Sequence, residues 1–272
     1  MSKIDYNDIK IGIIGQGFVG NAVYQKFKET YCVLTYDLNK TKSNSTFEKI
    51  IEECKHIFLC LPTPMGESGK CDTSIVHDVV GNISKSATSL KTIILKSTVP
   101  PGTVDEINLK YDNVYVCFNP EFLTAVNAVE DFRNQDRIVL GGIKTHTKEV
   151  GKIYRVLFPK TKIVYTTNKV AEMTKYVINT FLAMKVSYAN EINEFCRKSE
   201  IPYDEVIECA VLDKRLGKSH WKVPGPDGDF GFGGTCFPKD INALIYEYLK
   251  HDLNPLMLES TWKKNVGVRK TI

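Results

Sequence analysis

The stretch Lys10-Ile11-Gly12-Ile13-Ile14-Gly15-Gln16-Gly17-Phe18-Val19-Gly20 decides the fold of this chain, and helical spacing of apolar residues follows it from Asn21. The apolar run before Gly15 predicts a buried strand, and the glycines predict a tight turn into a helix. Gly15 permits the turn, Gly17 lets phosphates approach the backbone, and Gly20 lets the helix pack on the sheet. A glycine-rich turn alone is weak evidence, but its place between strand and helix predicts dinucleotide binding.

An acidic residue at the end of the second predicted strand indicates which dinucleotide binds. The strand covers residues 31–36, and Asp37 follows it at the end. A carboxylate at this place accepts hydrogen bonds from the adenosine ribose hydroxyls and repels a 2′-phosphate. We therefore predict NAD as the cofactor, although Lys40 and Lys42 leave NADP open.

Strands and helices alternate through the rest of the first half. Further strands are predicted at 56–61, 92–96, 114–118, 138–141 and 162–165, with helices at 74–85 and 148–158. This order predicts an α/β fold with a doubly wound parallel sheet, a Rossmann arrangement, whose ligands bind at the carboxyl ends of the strands. Polar loops follow three of these strands, at residues 62–64, 97–98 and 119–121. Thr98 and Glu121 are therefore predicted to face a cofactor or substrate, and the alternative for each is a solvated loop residue.

The second half is predicted to be helical. Apolar residues recur at steps of three and four from Asn168 to about Ser199, without an internal proline or glycine, and this length suggests a spine between domains or subunits. We predict a cofactor-binding domain at 1–166 and an all-α domain with this long central helix at 167–272. Lys175 and Asn179 share one face of the helix; spacing alone favours a surface pair, but both could bind a developing oxyanion.

A second glycine-rich stretch, Phe230-Gly231-Phe232-Gly233-Gly234-Thr235-Cys236-Phe237-Pro238-Lys239-Asp240, leads into another predicted helix. Pro238 and Asp240 suit the first turn of that helix. Cys236 would then lie at a helix N-terminus, which lowers the pKa of a thiol and favours a nucleophilic thiolate. The glycines would let a ligand approach the backbone. The alternative is a small buried cysteine beside a tight turn.

Composition excludes several classes of protein. The formal charge of +4 is spread without a dense basic block, so we expect no nucleic acid partner. The eight cysteines never fall at C-x-x-C spacing, and no secretory signal or membrane-length apolar run is present. We therefore expect a soluble, cytoplasmic, reduced protein without a metal centre.

Together the motifs resemble the UDP-glucose/GDP-mannose dehydrogenase family, the nucleotide-sugar dehydrogenases. The matching stretches, in the family's order, are Ile13–Gly20, Pro62-Thr63-Pro64, Ser97–Thr103, Asn119-Pro120-Glu121-Phe122-Leu123, Asp136-Arg137-Ile138, Lys175-x-x-x-Asn179, Asp213-x-Arg215-x-Gly217 and Gly231–Asp240. The last of these is highly specific, whereas the first is shared by many dehydrogenases.

The resemblance implies a two-stage oxidation of a sugar C6 alcohol to a carboxylate with reduction of two NAD. It implies that Cys236 forms a thiohemiacetal and then a thioester, that Glu121 handles the hydrolytic water, and that Lys175 and Asn179 stabilise oxyanions. Thr98 and Asp240 would arrange water and proton transfer. Cofactor contacts are implied for Gly15, Gly17, Phe18, Val19, Gly20, Asp37, Pro62, Thr63, Thr98 and Lys239. Substrate contacts are implied for Phe122, Leu123, Lys175, Asn179, Arg215, Phe230, Gly231 and Gly233.

Partners also follow from the resemblance. The long helix 168–199 looks like the spine of a homodimer, and Arg215 like a residue that reaches the substrate of the partner subunit. The chain departs from the family at Ala125, where a second glutamate is common, and this departure bears on hydrolysis. The family usually has a third, C-terminal nucleotide-binding domain, whereas this sequence stops at Ile272. A truncated chain, a separate chain that supplies the domain, and an open substrate site are the alternatives.

Two other functions remain open from the sequence. A one-step hydroxyacid dehydrogenase would share the sheet, the long helix and the Lys-x-x-x-Asn pair, but it needs no cysteine. A catalytically inactive NAD-binding scaffold is the second alternative, and the complete set of catalytic residue types disfavours it.

Overall fold

The computed structural model describes residues 8–270 of the chain, and seven strands form one sheet within them. The strands are β1 Lys10–Ile14, β2 Cys32–Tyr36, β3 His56–Leu59, β4 Lys91–Leu95, β5 Val114–Phe118, β6 Arg137–Gly141 and β7 Lys162–Thr166. The helices are α1 Phe18–Phe27, α2 Phe47–Glu53, α3 Ser74–Ser86, α4 Thr103–Asn108, α5 Ala128–Arg133, α6 Lys144–Leu157, α7 Asn168–Lys198, α8 Tyr203–Ala210, α9 Phe237–Lys250 and α10 Leu256–Val268. None of the helices in this part of the chain has both the length and the apolar content that crossing a membrane requires.

The sheet has the order β2-β1-β3-β4-β5-β6-β7. The chain moves from β1 to β2 on one side and to β3 on the other, so a topological switch point lies between β1 and β3, where ligands bind in sheets of this kind. The predicted doubly wound sheet followed by a helical region is confirmed. One detail differs: β6 pairs antiparallel with β5 through Phe118 and Gly141, while β6 and β7 are parallel to each other. A strand pattern carries no direction, and the connection from Asn119 to Asp136 holds the short helix α5, which was not predicted.

Side chains of successive strand residues point to opposite faces and build two apolar layers. In β5, Tyr115 and Cys117 belong to the layer that includes α1 and α6, whereas Val116 and Phe118 belong to the layer that includes α3 and α4. Both faces of the sheet are therefore covered by helices, as a mainly parallel sheet requires.

The chain divides into two compact units. The first unit comprises the residues up to Pro64 together with Asp72–Lys175, and the second comprises Met65–Cys71 together with the residues from Tyr176 onward. In the second unit Met65 and Cys71 form an isolated antiparallel bridge, and a β-carbon at Gly69 would lie 3.2 Å from Asn242.

A buried carboxylate of α7 holds the loop after β4 within the first unit. Glu172 accepts hydrogen bonds from the amides of Gly102 (2.6 Å) and Val104 (2.9 Å). Burial raises the pKa of Glu172 from 4.5 to about 7, against the smaller lowering effect of these two amides. The loop that carries Thr98 is thus connected to the long helix near Lys175.

Candidate functional site

The glycine turn has the conformation that a dinucleotide requires. Gly15 has a φ of +91°, and a β-carbon there would overlap the carbonyl oxygen of Cys60. A β-carbon at Gly20 would overlap the carbonyl oxygen of Gly15, so both positions admit only glycine. A β-carbon at Gly17 would meet no described atom within 4 Å, which leaves the backbone open to phosphates. The helix begins at Phe18, earlier than predicted, so Phe18 and Val19 are its first residues.

A cavity of about 520 Å³ lies beside this turn in the first unit. Its lining includes Gln16, Phe18, Tyr24, Thr41, Lys42 and Ser43. The side-chain amide nitrogen of Gln16 is buried and has no hydrogen-bond partner among the described residues. A polar cavity with an unpaired donor fits the adenosine half of a dinucleotide. Sequence reasoning missed Thr41 and Ser43, which line this cavity. The available signal was their place four and six residues after Asp37, in the loop that follows the strand.

Asp37 lies at the end of β2, as predicted. Its carboxylate accepts hydrogen bonds from the amides of Gln16 (2.6 Å) and Asn39 (2.8 Å). Burial raises the pKa of Asp37, but these amides and the charge of Lys42 outweigh burial and hold the pKa below its usual value. Because each carboxylate oxygen has two lone pairs, Asp37 can still accept a bond from a ribose hydroxyl.

The loops after β3 and β4 contact each other. The Thr63 hydroxyl donates to the carbonyl of Thr98 (2.9 Å), and the amide of Leu61 donates to the Ser97 hydroxyl (2.8 Å). Thr63 and Thr98 are buried, whereas Pro62 is exposed. The interpretation of Thr98 as a solvated loop residue is therefore wrong.

Glu121 and Lys175 form a buried ion pair in the first unit. The Lys175 ammonium lies 2.8 Å from Glu121 Oε1 and donates to the Glu121 carbonyl at 2.7 Å. The other carboxylate oxygen accepts from the amide of Leu123 at 2.9 Å. The Phe122 ring lies 5.9 Å from the Lys175 ammonium and 4.4 Å from the Arg137 guanidinium. Glu121 is thus held in one orientation. It is buried, so the interpretation of Glu121 as a solvated loop residue is also wrong.

Cys236 occupies the predicted position in the second unit. It is the residue before α9, Pro238 lies in the first turn, and the amide of Asp240 donates to the Cys236 carbonyl at 2.9 Å. The cysteine is partly exposed, and its sulfur lies 3.8 Å from the Thr235 hydroxyl. The alternative, a small buried cysteine beside a tight turn, does not fit this partial exposure.

Asp240 is the centre of a second buried cluster. It accepts a hydrogen bond from the Asn179 side-chain amide (2.5 Å), and the Lys239 ammonium lies 2.5 Å from its other oxygen. Burial lowers the pKa of Lys239, but Asp240, with smaller contributions from the thiols of Cys71 and Cys236, raises it above its usual value. Lys175 and Asn179 are both buried, so the interpretation as a surface pair is wrong.

The glycine loop before Cys236 is held by α10. Asn265, which is fully buried, accepts from the amide of Phe232 (2.6 Å) and donates to its carbonyl (3.0 Å). A β-carbon at Gly231 would overlap Asn265, and one at Gly233 would overlap the guanidinium of Arg269. The sequence analysis predicted that a ligand approaches the backbone at these two glycines. In the structure, side chains of the same protein, Asn265 and Arg269, lie close to them. Sequence reasoning missed Asn265 and Arg269, and an asparagine on the buried face of a helix was the available signal.

Arg215 lies apart from these clusters. It is exposed in a 3₁₀ turn, where its guanidinium pairs with Asp213 two residues earlier. The contacts within the two units thus connect Glu121 with Lys175, and Asn179 with Asp240 and Lys239. The predicted roles of these residues, of Phe230 and of Arg215 stay predictions.

Comparison with known proteins identifies the family. Residues 34–158 match the NAD binding domain of the UDP-glucose/GDP-mannose dehydrogenase family, and residues 169–266 match its central domain. The chain belongs to this family. The UDP-glucose/GDP-mannose dehydrogenase resemblance is confirmed, and so is NAD as the cofactor of its first domain.

Relatives of known name show how far the likeness extends. The UDP-glucose 6-dehydrogenase of Rickettsia felis is 32% identical over 268 residues, which are 96% of this chain and 58% of that protein. This chain therefore spans less than two thirds of that relative.

Solved structures show the same fold. The structure of a UDP-glucose dehydrogenase from Pyrobaculum islandicum has a TM-score of 0.87 at 24% identity, over 98% of this chain and 70% of that one. The 3-hydroxyisobutyrate dehydrogenase of Mycobacterium tuberculosis has a TM-score of 0.75 at 14% identity, over 93% and 91% of the two chains. At these identities both structures show the fold alone.

Proposed function

We propose that this chain catalyses the NAD-dependent, two-step oxidation of the C6 alcohol of a nucleotide sugar of the UDP-glucose type to the carboxylate. The observation that carries the proposal is Cys236 at the start of α9, partly exposed and followed by the ion pair of the half-buried Lys239 with the buried Asp240. The N-terminus of α9 favours a thiolate at this position. A one-step dehydrogenase has no use for such a sulfur.

The covalent part of the reaction is assigned to Cys236 and Asn179 of the second unit and to Lys175 of the first. The Cys236 sulfur adds to the C6 aldehyde, and the resulting thiohemiacetal loses a hydride and a proton to become a thioester. Asn179 and Lys175 are assigned to the oxygen that becomes negatively charged in these steps, since each carries N–H donors on a buried side chain. Asp240 fixes the Asn179 amide in place through its hydrogen bond.

The residues of the first unit are assigned to cofactor binding and to water. Glu121 accepts the proton of the water that attacks the thioester, which releases the carboxylate and restores the Cys236 thiol. The ion pair with Lys175 keeps the Glu121 carboxylate in one position for this step. Gly15, Gly17 and Asp37 hold NAD, which accepts the hydride removed in each oxidation, so two NAD are reduced per sugar.

The stoichiometry of NADH tests this proposal. We expect two NADH per sugar consumed when the protein is mixed with NAD and a panel of UDP- and GDP-sugars. One NADH per sugar would support a one-step dehydrogenase, and no NADH with NAD still bound would support a scaffold; either result contradicts the proposal.

A cysteine variant tests the covalent step. Cys236→Ser should stop turnover at the aldehyde, because serine lacks the nucleophilicity of a thiolate. Cys209→Ser is the matched control, since Cys209 is exposed on α8, and it should retain full activity. Complete formation of the acid by Cys236→Ser would refute the thioester.

We further propose a homodimer formed through α7. Val177, Phe181, Tyr188 and Phe195 are each more than half exposed, and their spacing of four and seven places them along one stripe of the helix. An exposed apolar stripe of this length is typical of an interface between subunits. We also propose a cytoplasmic location, since the eight cysteines form no disulfide within residues 8–270, as expected in a reducing compartment.

A further inference from the structure

A buried lysine lies next to the loop that carries Glu121. Lys96 follows the last residue of β4 and is 3% exposed. Its ammonium donates to the carbonyl of Asn119 (3.3 Å) and to the side-chain oxygen of the same residue (3.1 Å). No carboxylate of the described residues lies within ion-pair distance of it. Burying an unpaired ammonium is costly, so its presence calls for a specific reason.

Asn119 connects Lys96 with the loop of residues 119–121 that carries Glu121. Its side-chain amide donates to the carbonyl of Val139 (2.8 Å), its side-chain oxygen also accepts from the hydroxyl of Tyr154, and its backbone amide donates to the carbonyl of Leu95 (2.8 Å). Asn119 is therefore fixed by β4, β6 and α6. Glu121 is only two residues further on. A shift of Asn119 would move the Glu121 carboxylate with it.

We propose that Lys96 is a positioning residue for Glu121: its ammonium holds Asn119, fixes the loop of residues 119–121, and adds a second positive charge to that of Lys175 at the Glu121 carboxylate. This inference rests on the proposed function, which assigns Glu121 to the hydrolytic water. In this role Lys96 acts through Asn119, to which its ammonium donates two hydrogen bonds.

The electrostatics of the first unit support this role. Burial lowers the pKa of Lys96 to about 8, and Cys60 and Glu121 raise it by a smaller amount. The ionisable groups that act on the Lys96 ammonium are Cys60, Cys117, Glu121 and Lys175. Burial raises the pKa of Cys60 and of Cys117 to about 12, so both are neutral thiols near pH 8. Glu121, which is in the ion pair with Lys175, is thus the carboxylate of this group, and Lys96 loses its charge as the pH rises through about 8.

An NMR titration tests the inference without any substrate. In protein labelled with ¹³C at the lysine ε-carbon, we expect one resonance that titrates near pH 8 and is absent from Lys96→Met. Lys91→Met is the matched control, because Lys91 is equally buried at the opposite end of β4 and makes no hydrogen bond to the 119–121 loop. The resonance should persist in that variant.

A change at Glu121 tests the electrostatic link in a protein that keeps Lys96. Glu121→Gln should move the Lys96 titration to lower pH, because it removes the anion that favours the ammonium. A titration that stays in place in Glu121→Gln, or the absence of a lysine that titrates near pH 8, would overturn the inference. This measurement remains decisive if Lys96→Met fails to fold.

Kinetics then test the effect on the reaction. In Lys96→Met we expect kcat to fall about 10- to 100-fold with little change in KM, since a small displacement of a catalytic group has an effect of this size. The wild-type activity should decline above about pH 8 as Lys96 loses its proton, and this decline should be absent from the variant. Lys91→Met should keep both kcat and the pH profile. An unchanged profile in Lys96→Met would reject the role; absence of NADH from wild-type protein would reject the proposed function and leave the NMR result standing.

Discussion

Replacement of Asn265 by alanine should destabilise the second unit and loosen the loop before Cys236. The variant loses both hydrogen bonds between the Asn265 side chain and the backbone of Phe232. The buried amide and carbonyl of Phe232 are then left without these partners. Each unpaired group costs about 1–3 kcal/mol, so the free energy of unfolding should fall by about 2–6 kcal/mol.

Tryptophan fluorescence measures this change selectively. Trp221 and Trp262, the two tryptophans of the chain, both belong to the second unit, and the Trp262 ring lies 6.2 Å from that of Phe232. Urea unfolding followed by this fluorescence gives the free energy. Asn254→Ala is the control, since Asn254 is exposed, and it should change stability by no more than about 0.5 kcal/mol.

Asn265→Asp separates the hydrogen bonds from the volume of the side chain. It keeps an acceptor for the amide of Phe232 but places a buried carboxylate against the Phe232 carbonyl, so the loss of stability should exceed that of alanine at pH 7. At low pH the protonated carboxyl can donate again, and part of the stability should return. If Asn265→Ala costs less than about 1 kcal/mol, or if the aspartate variant shows no pH dependence, the reasoning about this loop is wrong.

Three further predictions concern other parts of the chain. Gly17→Ala should fold normally but bind NAD at least about tenfold more weakly in calorimetry, whereas Gly15→Ala should lower the unfolding midpoint itself; equal effects would contradict the assigned roles. Because burial raises the pKa of Glu172 from 4.5 to about 7, the folded state binds a proton that the unfolded chain has lost, so the free energy of unfolding should fall by about 3 kcal/mol between these pH values and level off above them. Glu172→Gln should remove this slope from denaturation curves, and a slope that persists would refute the assignment. Phe181→Asp should convert a dimer to a monomer in light scattering, and an unchanged mass would exclude α7 as the interface.

The parts of the fold that could be predicted are those that depend on residues close together in the sequence. Strand β1, the glycine turn and the start of α1 are contiguous in sequence, and the steric demands at Gly15 and Gly20 follow from that local order. Cys236 at the start of α9 was predictable for the same reason, because Pro238 and Asp240 mark a helix start within four residues.

Contacts between distant residues could not be read in this way. Asn265 contacts Phe232 across 33 positions, and Lys96 contacts Asn119 across 23. A single sequence shows neither which polar residue becomes buried nor what it meets. The antiparallel direction of β6 could not be predicted either, since it depends on how the connection after Phe118 returns to the sheet.

The segment Met65–Cys71 lies within the sequence of the first unit but belongs to the second. This arrangement limits how the two units can be expressed separately. A gene fragment that starts at Tyr176 would encode the second unit without the piece that supplies the Met65–Cys71 bridge and the packing of Gly69 against Asn242. Stable expression of that fragment should need the missing peptide, added in trans or grafted through a linker. A circular permutant with its new termini within residues 65–71 should be less soluble than one with its new termini in the exposed turn at 251–254.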